Sequence, residues 1–193
     1  MSTQRKSLHD PRLEIVRENT KNVNSVSRQS PTGLVALAFD NENMRAGAQA
    51  LGGVLDYRSA IIDATAGQPW IGTAVVLVEH MTAGVARFLT ALRRLGLSVV
   101  TTHRERVCGR SKVCDDVVLA AEAATLALDP RVHELVLLSG DGDLAHVCEI
   151  ARRGGKRVTV AAFRETVSHK LVRAADEVVF LTSRHVIPNG RAA

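Results

Sequence analysis

The segment VLLSGDGDLAHV, residues 136 to 147, joins a short apolar run to a turn that contains Asp141 and Asp143. A continuous apolar run of this length is typical of a strand that is covered on both faces. One serine and two glycines surround the aspartates, and we expect the glycines to let the backbone turn tightly. The apolar residues after the turn return at helical spacing. The segment therefore predicts a buried strand, an acidic turn and a helix.

Similar apolar runs occur along the chain and are separated by segments of helical period. Strands are predicted over residues 34–39, 74–79, 97–102, 134–139, 157–163 and 177–181. Two helices are predicted from apolar residues on one face: Val85, Phe88, Leu89, Leu92 and Leu95 in the first, and Leu144, Val147, Cys148 and Ala151 in the second. Gly96 and Gly154 follow them, where helix C-caps belong. The alternation predicts an α/β fold, with an open, doubly wound, mainly parallel sheet of five to six strands and helices on both faces.

The chain has 193 residues, of which 46% are hydrophobic, so it is long enough for one domain with a sizeable core. We predict a flexible basic arm over residues 1–33, the folded domain over 34–183 and a short tail over 184–193. The arm carries six basic against three acidic residues, and the tail adds two basic residues. Such a charge distribution suits a polyanionic partner, and a basic arm that only improves solubility fits it equally well.

Several protein classes are disfavoured by the composition. No run of about 18 apolar residues is present, and the polar start lacks an apolar segment followed by a cleavage site. We therefore expect a cytoplasmic protein without a membrane partner. Cys108, Cys114 and Cys148 lack the second pair that a structural zinc site needs, so reduced thiols are expected. The oligomeric state stays open, and a homodimer is among the states that the sequence allows.

Acidic residues follow three of the predicted strands, at the edge of the sheet where open α/β folds bind ligands. They are Asp40 after the first strand, Asp115, Asp116 and Glu122 in the segment after the third, and Asp141 and Asp143 after the fourth. Carboxylates gathered there would repel one another unless a cation lay between them. Oxygen ligands on several loops suit Mg²⁺ or Mn²⁺, which can bind a phosphate oxygen and activate water. Phosphodiester hydrolysis is the chemistry that fits this set best.

Each acid also has a structural interpretation. Asp115 or Asp116 could cap the helix that follows, and Asp143 could cap the helix that starts at Leu144. Asp40 follows a buried strand directly, and we expect no capping partner three residues on, which favours a role in the site. Asn43 and Ser139 are neutral side chains that could orient a carboxylate or a water, or only satisfy the backbone of the turns.

Four motifs in this order resemble the NYN domain, a branch of the PIN-like metal-dependent ribonucleases. They are FDNENM at 39–44, K-x-x-D-D-x-x-L-x-x-E at 112–122, SGDGDL at 139–144 and GGKRVTV at 154–160. The resemblance spans residues 34 to 181. It implies that Asp40, Asp116, Asp141 and Asp143 gather around Mg²⁺ or Mn²⁺ and cut RNA, single-stranded RNA being the expected substrate. It also matches Asn43 to an asparagine of the family.

The middle motif departs from the family pattern, which usually has one aspartate at the helix start and another six residues later. Here two adjacent aspartates stand at the start and Glu122 at the later position. The spacing to Leu119 and Glu122 favours Asp116 as the metal ligand. Helical phase instead places Asp115 and Glu122 on one face, so Asp115 stays an alternative.

The segment THRERVCGRSK, residues 102–112, is interpreted as a loop that contacts the RNA backbone. It carries four cations directly before the acidic helix start: Arg104, Arg106, Arg110 and Lys112. An ordinary solvated loop is the alternative. Aromatic residues make up 3% of the chain, and only Tyr57 and Trp70 are candidates for exposed stacking platforms. Base-specific stacking is therefore poorly supported.

Two other functions compete with a nuclease. Residues 140–145 fit G-x-G-x-x-A, and Glu165 lies at a suitable distance for a dinucleotide-binding oxidoreductase. Asp141 and Asp143 argue against it, because they would repel the pyrophosphate that this loop has to receive. The third hypothesis is a binding module that keeps the acids and holds RNA or a protein without cleavage.

Overall fold

The computed structural model describes residues 33–107, 110–112 and 114–189 of the chain. Most of the predicted arm, Cys108 and the last four residues lie outside this part. The described strands are β1 Leu34–Asp40, β2 Gly53–Leu55, β3 Trp70–Leu77, β4 Ser98–Thr102, β5 Glu105–Val107, β6 Arg110–Lys112, β7 Val132–Leu138, β8 Arg157–Phe163, β9 Glu177–Leu181 and β10 Val186–Pro188. The helices are α1 Asn41–Ala50, α2 Tyr57–Ala64, α3 Ala83–Arg94, α4 Asp115–Ala127, α5 Ala145–Arg153 and α6 His169–Ala174.

A six-stranded parallel sheet with the order β4-β3-β1-β7-β8-β9 forms the centre of the fold. Its strands are the six that the sequence predicts, so the predicted fold class is confirmed. The central strands β1, β7 and β8 are buried along almost their whole length. Their apolar runs are continuous because helices cover both faces of the sheet.

Helices form a layer on each side of the sheet. Helix α4 packs across β1, β3 and β7 and also contacts α5, which in turn contacts α6. Helix α1 contacts β3 and β8, and α3 contacts β4. From β1 the chain runs to β3 and then to β4, and α4 carries it back across the sheet to β7 on the other side of β1. Because the crossovers are right-handed, α1 and α3 lie on one face of the sheet and α4 lies on the other.

The chain reverses direction across the sheet between β1 and β7, the point where an open α/β sheet leaves a crevice. In this pair, Phe39 of β1 lies beside Leu138 of β7. The residues that follow, Asp40 and Ser139, therefore meet at the same carboxyl edge. Helix α4 returns the chain across the sheet and brings its own start to this crevice.

Parts of the structure differ from the prediction. Helices α1 and α2 were not predicted, and neither was the small antiparallel sheet of β2 and β10, which includes Val186–Pro188 of the predicted tail. Strands β5 and β6 pair as an antiparallel hairpin within the segment predicted as a loop. Gly154 is the C-cap of α5, as predicted, whereas the C-cap of α3 is Leu95 and Gly96 follows it with φ +102°. The domain limits stay a prediction.

Candidate metal centre

Asp40 ends β1 and is the N-cap of α1. Its Oδ1 accepts a hydrogen bond from the backbone N–H of Asn43 at 3.0 Å, and its Oδ2 accepts one from the hydroxyl of Ser139 at 2.8 Å. The expectation that Asp40 lacks a capping partner is therefore wrong, because a helix begins directly after the strand. The carboxylate is nevertheless buried at the crevice, where it also contacts a second strand end.

Two side chains tie the end of β1 to the end of β7. The fully buried Ser139 donates to Asp40 and accepts from the N–H of Asp141 at 3.1 Å. Asn43 Oδ1 accepts from the N–H of Gly140 at 2.9 Å. The hypothesis that Ser139 and Asn43 orient the acidic residues agrees with these contacts. Both also satisfy backbone groups of the turn.

Asp141 caps the short 3₁₀ turn Gly142–Leu144 that leads into α5. Its Oδ1 accepts from the N–H of Asp143 at 2.9 Å, so Asp141 rather than Asp143 occupies the capping position. Asp141 is half-buried, whereas Asp143 is exposed. The turn therefore presents one carboxylate held by a backbone hydrogen bond and one exposed carboxylate.

The glycines of this turn are needed for close packing rather than for a left-handed backbone. Neither Gly140 nor Gly142 has a positive φ. A Cβ on Gly140 would lie 2.5 Å from the carbonyl oxygen of Thr166, and a Cβ on Gly142 would lie 2.5 Å from Ser168 Oγ. The expectation of a tight glycine turn is corrected accordingly. The segment after β8 packs directly against the acidic turn and holds it in place.

Asp115 and Asp116 form the first turn of α4, after Cys114 at the N-cap position. The buried face of this helix contains Leu119 and Ala123. At about 100° per residue, Asp116 lies about 20° from Ala123 and Asp115 about 40° from Leu119, so both lie near this face. Helical phase therefore does not decide between the two aspartates.

Glu122 is half-buried on the same helix, about 10 Å along the axis from its first turn. It lies nearly in phase with Asp115, as predicted. The distance along the helix makes it the most remote of the predicted ligands.

Burial and the charges of neighbouring acids raise the pKa values of Asp40 and Asp116. The pKa of Asp40 is raised, first by burial and then by the charges of Asp115 and Asp141, although its hydrogen bonds from Asn43 and Ser139 oppose the shift. The side chain of Asp116 is exposed, yet partial desolvation, followed by the charges of Asp115, Asp141, Asp40 and Asp143, raises its pKa to about 6. Five aspartates from three segments therefore form one electrostatic cluster, which we call the acidic cluster: Asp40, Asp115, Asp116, Asp141 and Asp143.

The family model of the NYN domain matches residues 34–182. The chain belongs to the NYN domain family. The fold of this NYN domain is similar to a crystal structure of a protein of unknown function from Vibrio parahaemolyticus, with a TM-score of 0.71 and 24% identity over 82% of this chain and 99% of that chain. No curated protein matches the sequence. The resemblance on which the sequence interpretation depends is confirmed, and the family is nuclease-like in general.

The donor set of this NYN domain fits a hard divalent cation. The cluster offers carboxylate oxygens, and a hydroxyl and an amide lie beside them. Mg²⁺ and Mn²⁺ bind such oxygen ligands in preference to His nitrogen or Cys sulfur. Among the described residues, no three His, Cys, Asp or Glu side chains are already close enough to hold an ion. Asp116 and Asp143 are exposed side chains of this cluster.

The predicted RNA-contacting cations lie next to this centre along the chain. Arg104 is exposed between β4 and β5 and pairs with Glu79 at 3.3 Å. Arg106 lies on β5, and Arg110 and Lys112 lie on β6. The side chains of the hairpin lie outside the described part of the structure, so a contact with RNA remains a prediction.

The aromatic candidates are not exposed platforms at this edge. Tyr57 stacks on Phe39 with a centroid distance of 5.3 Å and donates to Asn41 Oδ1 at 2.7 Å. Burial raises its pKa to about 12, so it remains a donor at neutral pH. Trp70 begins β3 and therefore lies at the opposite end of the sheet. The expectation for these two residues is wrong because both are packed against the fold.

The dinucleotide hypothesis loses its main structural basis. In that motif the glycines leave room for a pyrophosphate beside the backbone. Here Thr166 and Ser168 occupy the space beside Gly140 and Gly142. Together with two aspartates in the same turn, this packing makes the turn unsuited to a dinucleotide.

Proposed function

We propose that this NYN domain is a divalent-metal-dependent ribonuclease that hydrolyses phosphodiester bonds at the acidic cluster. The observation that carries the proposal is the convergence of aspartates from three segments, with the pKa values of Asp40 and Asp116 raised by burial and by neighbouring charges. Such repulsion lowers stability unless the charge has a partner. A divalent cation supplies that partner.

Asp40, Asp141, Asp116 and Asp143 would hold the cation, with Glu122 as a more remote ligand. When bound, the cation would bind a phosphate oxygen, lower the pKa of a bound water and stabilise the charge of an in-line displacement. Ser139 keeps the Asp40 carboxylate directed towards the end of β7 through its 2.8 Å hydrogen bond. These oxygen ligands are suited to both Mg²⁺ and Mn²⁺.

RNA is the proposed substrate, and single-stranded RNA is favoured by the family resemblance. The net charge of +5 and the cations of the hairpin suit a polyanion. A cytoplasmic location agrees with the sequence interpretation. Among the described residues, no helix is long and apolar enough to cross a membrane.

The test is cleavage of a labelled, mixed-sequence single-stranded RNA with Mn²⁺, with EDTA, and by the Asp40→Asn, Asp141→Asn double variant. The matched control is Asp56→Asn, because Asp56 also caps a helix after a strand, accepting from Ser59 N at 3.2 Å, but lies outside the cluster. We expect cleavage by the wild type and the control only.

Cleavage that survives EDTA or the double substitution would overturn the proposal. Absence of cleavage in a protein that Mn²⁺ stabilises and that binds RNA would favour the non-catalytic binding module. The double variant should retain most of its RNA affinity, since metal ligands act mainly on the transition state.

A further inference from the structure

A cleft of about 400 Å³ opens beside the acidic cluster at the same edge of the sheet. Its α1 wall begins at Asn41, the residue after Asp40, and continues through Glu42 and Arg45. Adjacent Cα atoms lie about 3.8 Å apart, so the cleft starts within one residue of the proposed metal ligand. The cleft and the acidic cluster therefore adjoin at the junction of β1 and α1.

The floor and the rim of the cleft differ in chemistry. The floor is apolar and includes Val76, Val85 and the half-buried ring of Phe88. The rim carries two carboxylate–guanidinium pairs, Glu42 with Arg45 at 2.7 Å and Glu79 with Arg104 at 3.3 Å. An apolar floor with a polar edge is the arrangement that matches a flat heterocycle.

Neighbouring contacts hold these walls in position. Tyr57 packs against Phe88 with a centroid distance of 5.6 Å and donates to Asn41, whose amide nitrogen donates to Glu42 at 3.1 Å. Asn41 itself is buried. The orientation of the α1 wall is thus set by the core and does not depend on a ligand.

We propose that this cleft binds an unpaired nucleobase next to the scissile phosphate, and that guanine fits it best. The inference rests on RNA being the substrate of the acidic cluster. Guanine presents two acceptors, N7 and O6, on one edge and N–H donors on the other. A rim with both guanidinium and carboxylate groups can contact both edges, and arginine binds the acceptor edge in a bidentate manner.

A phosphate group is a poorer occupant of the same cleft. Glu42 and Glu79 would face it, and their charges already balance those of Arg45 and Arg104. A neutral ligand avoids this repulsion. The base has to be unpaired, because a base-paired guanine cannot leave its helix without the loss of pairing and stacking.

The test measures binding without metal, so that it does not depend on cleavage. Fluorescence anisotropy in EDTA compares labelled uridine pentamers that carry guanosine, adenosine or cytidine at the central position with the all-uridine strand. We expect the wild type to bind the guanosine strand roughly tenfold more tightly, the effect of one bidentate contact. Glu79→Gln and Arg45→Met should each lose most of this preference, measured as the ratio of the guanosine-strand affinity to the all-uridine affinity, because a change in charge alters the affinity for every strand alike.

Glu149→Gln is the matched control, because Glu149 is an exposed glutamate on α5 that pairs with His146 at 3.1 Å, outside the cleft. It should keep the full preference. Equal affinities for all four strands in the wild type would overturn the proposal, as would a preference that survives both cleft substitutions. Equal weakening of every strand by both substitutions would show that the cleft binds backbone and would also overturn it.

Failure of the cleft and failure of the nuclease give different results. Base preference in EDTA without cleavage in Mn²⁺ would retain the cleft and reject the ribonuclease. Metal-dependent cleavage without base preference, unaffected by Glu79→Gln and Arg45→Met, would retain the ribonuclease and reject the cleft.

Discussion

Replacing Ser139 by alanine tests the link between the two strand ends. The hydroxyl is fully buried, donates to the Asp40 carboxylate at 2.8 Å and accepts from the N–H of Asp141 at 3.1 Å. A hydrogen bond to a charged group contributes about 1.5–3 kcal/mol and a neutral one about 0.5–1.5 kcal/mol. We expect Ser139→Ala to lower the free energy of unfolding by about 2–4 kcal/mol, or the thermal midpoint by roughly 5–10 °C.

The loss should depend on pH. The bond from Ser139 favours the ionised form of Asp40 and lowers its pKa, so its removal raises that pKa further. This contribution to stability is complete above the folded-state pKa that Asp40 has in the variant, and it is lost as the pH falls below the folded-state pKa of the wild type, which itself lies above the ordinary value of 3.8. The destabilisation should therefore be larger at pH 8 than at pH 4.

The assay is urea unfolding at both pH values, with Ser59→Ala as the control. Within the described part of the chain, the Ser59 hydroxyl donates to the backbone carbonyl of Asp56 at 3.1 Å and to no carboxylate, so its loss should be smaller and independent of pH. Ser139→Ala should also reduce the rise in midpoint that Mn²⁺ gives the wild type. An equal loss at pH 4 and pH 8, or a loss no greater than that of the control, would refute the role assigned to Ser139.

Three further predictions concern the acidic cluster and its turn. Asp40→Asn should raise the thermal midpoint in EDTA at pH 7 and leave it unchanged near pH 3. The reason is that a carboxyl with a raised pKa in the folded protein lowers the free energy of unfolding increasingly as the pH rises and the group ionises. A lower midpoint at pH 7 would contradict this. A carboxylate must lose its proton before it binds a metal ion, so the rise in thermal midpoint that Mn²⁺ causes should increase between pH 5 and pH 7. If Asp116, with its pKa of about 6, is the ligand, Asp116→Asn should reduce this increase more than Asp115→Asn does. A larger effect of Asp115→Asn would assign Asp115 as the ligand. Gly140→Ala should destabilise the protein by about 1–3 kcal/mol in thermal unfolding, since the new Cβ would clash with the Thr166 carbonyl oxygen. An unchanged midpoint would show that the segment after β8 can move away from the acidic turn.

The central sheet was predictable because its strands are covered on both faces. Strands that are buried on both faces have continuous apolar runs of strand length, so β1, β7 and β8 are evident in the sequence. The start of β3 was missed for a tertiary reason. Gly72 interrupts its apolar run, and this glycine is needed because Leu37 of the neighbouring strand lies where a Cβ would point.

Helix α1 was missed because its buried face is made of small residues. Met44 is its one large buried apolar residue, beside Gly47 and Ala48. Gly47 lies against the ring of Phe163, so close helix–sheet packing has replaced the usual apolar stripe. The pairing of β2 with β10 joins three-residue strands from distant parts of the chain, and such short strands carry no periodic signal.

The sequence predicts the acids at one edge of the sheet, with helix capping as the alternative to metal binding for Asp115, Asp116 and Asp143. In the structure, the two acids that were not expected to be caps occupy capping positions. Asp40 and Asp141 each use Oδ1 to accept the backbone N–H of a helix or 3₁₀ start, and Asp40 has a second oxygen that faces the end of β7. Capping fixes the carboxylate at the crevice and places it at the positive end of a helix dipole, which offsets part of the repulsion within the cluster. A change in stability on mutating either aspartate therefore does not distinguish capping from metal binding. The dependence of that change on Mn²⁺ does, because the capping hydrogen bond contributes equally with and without the ion.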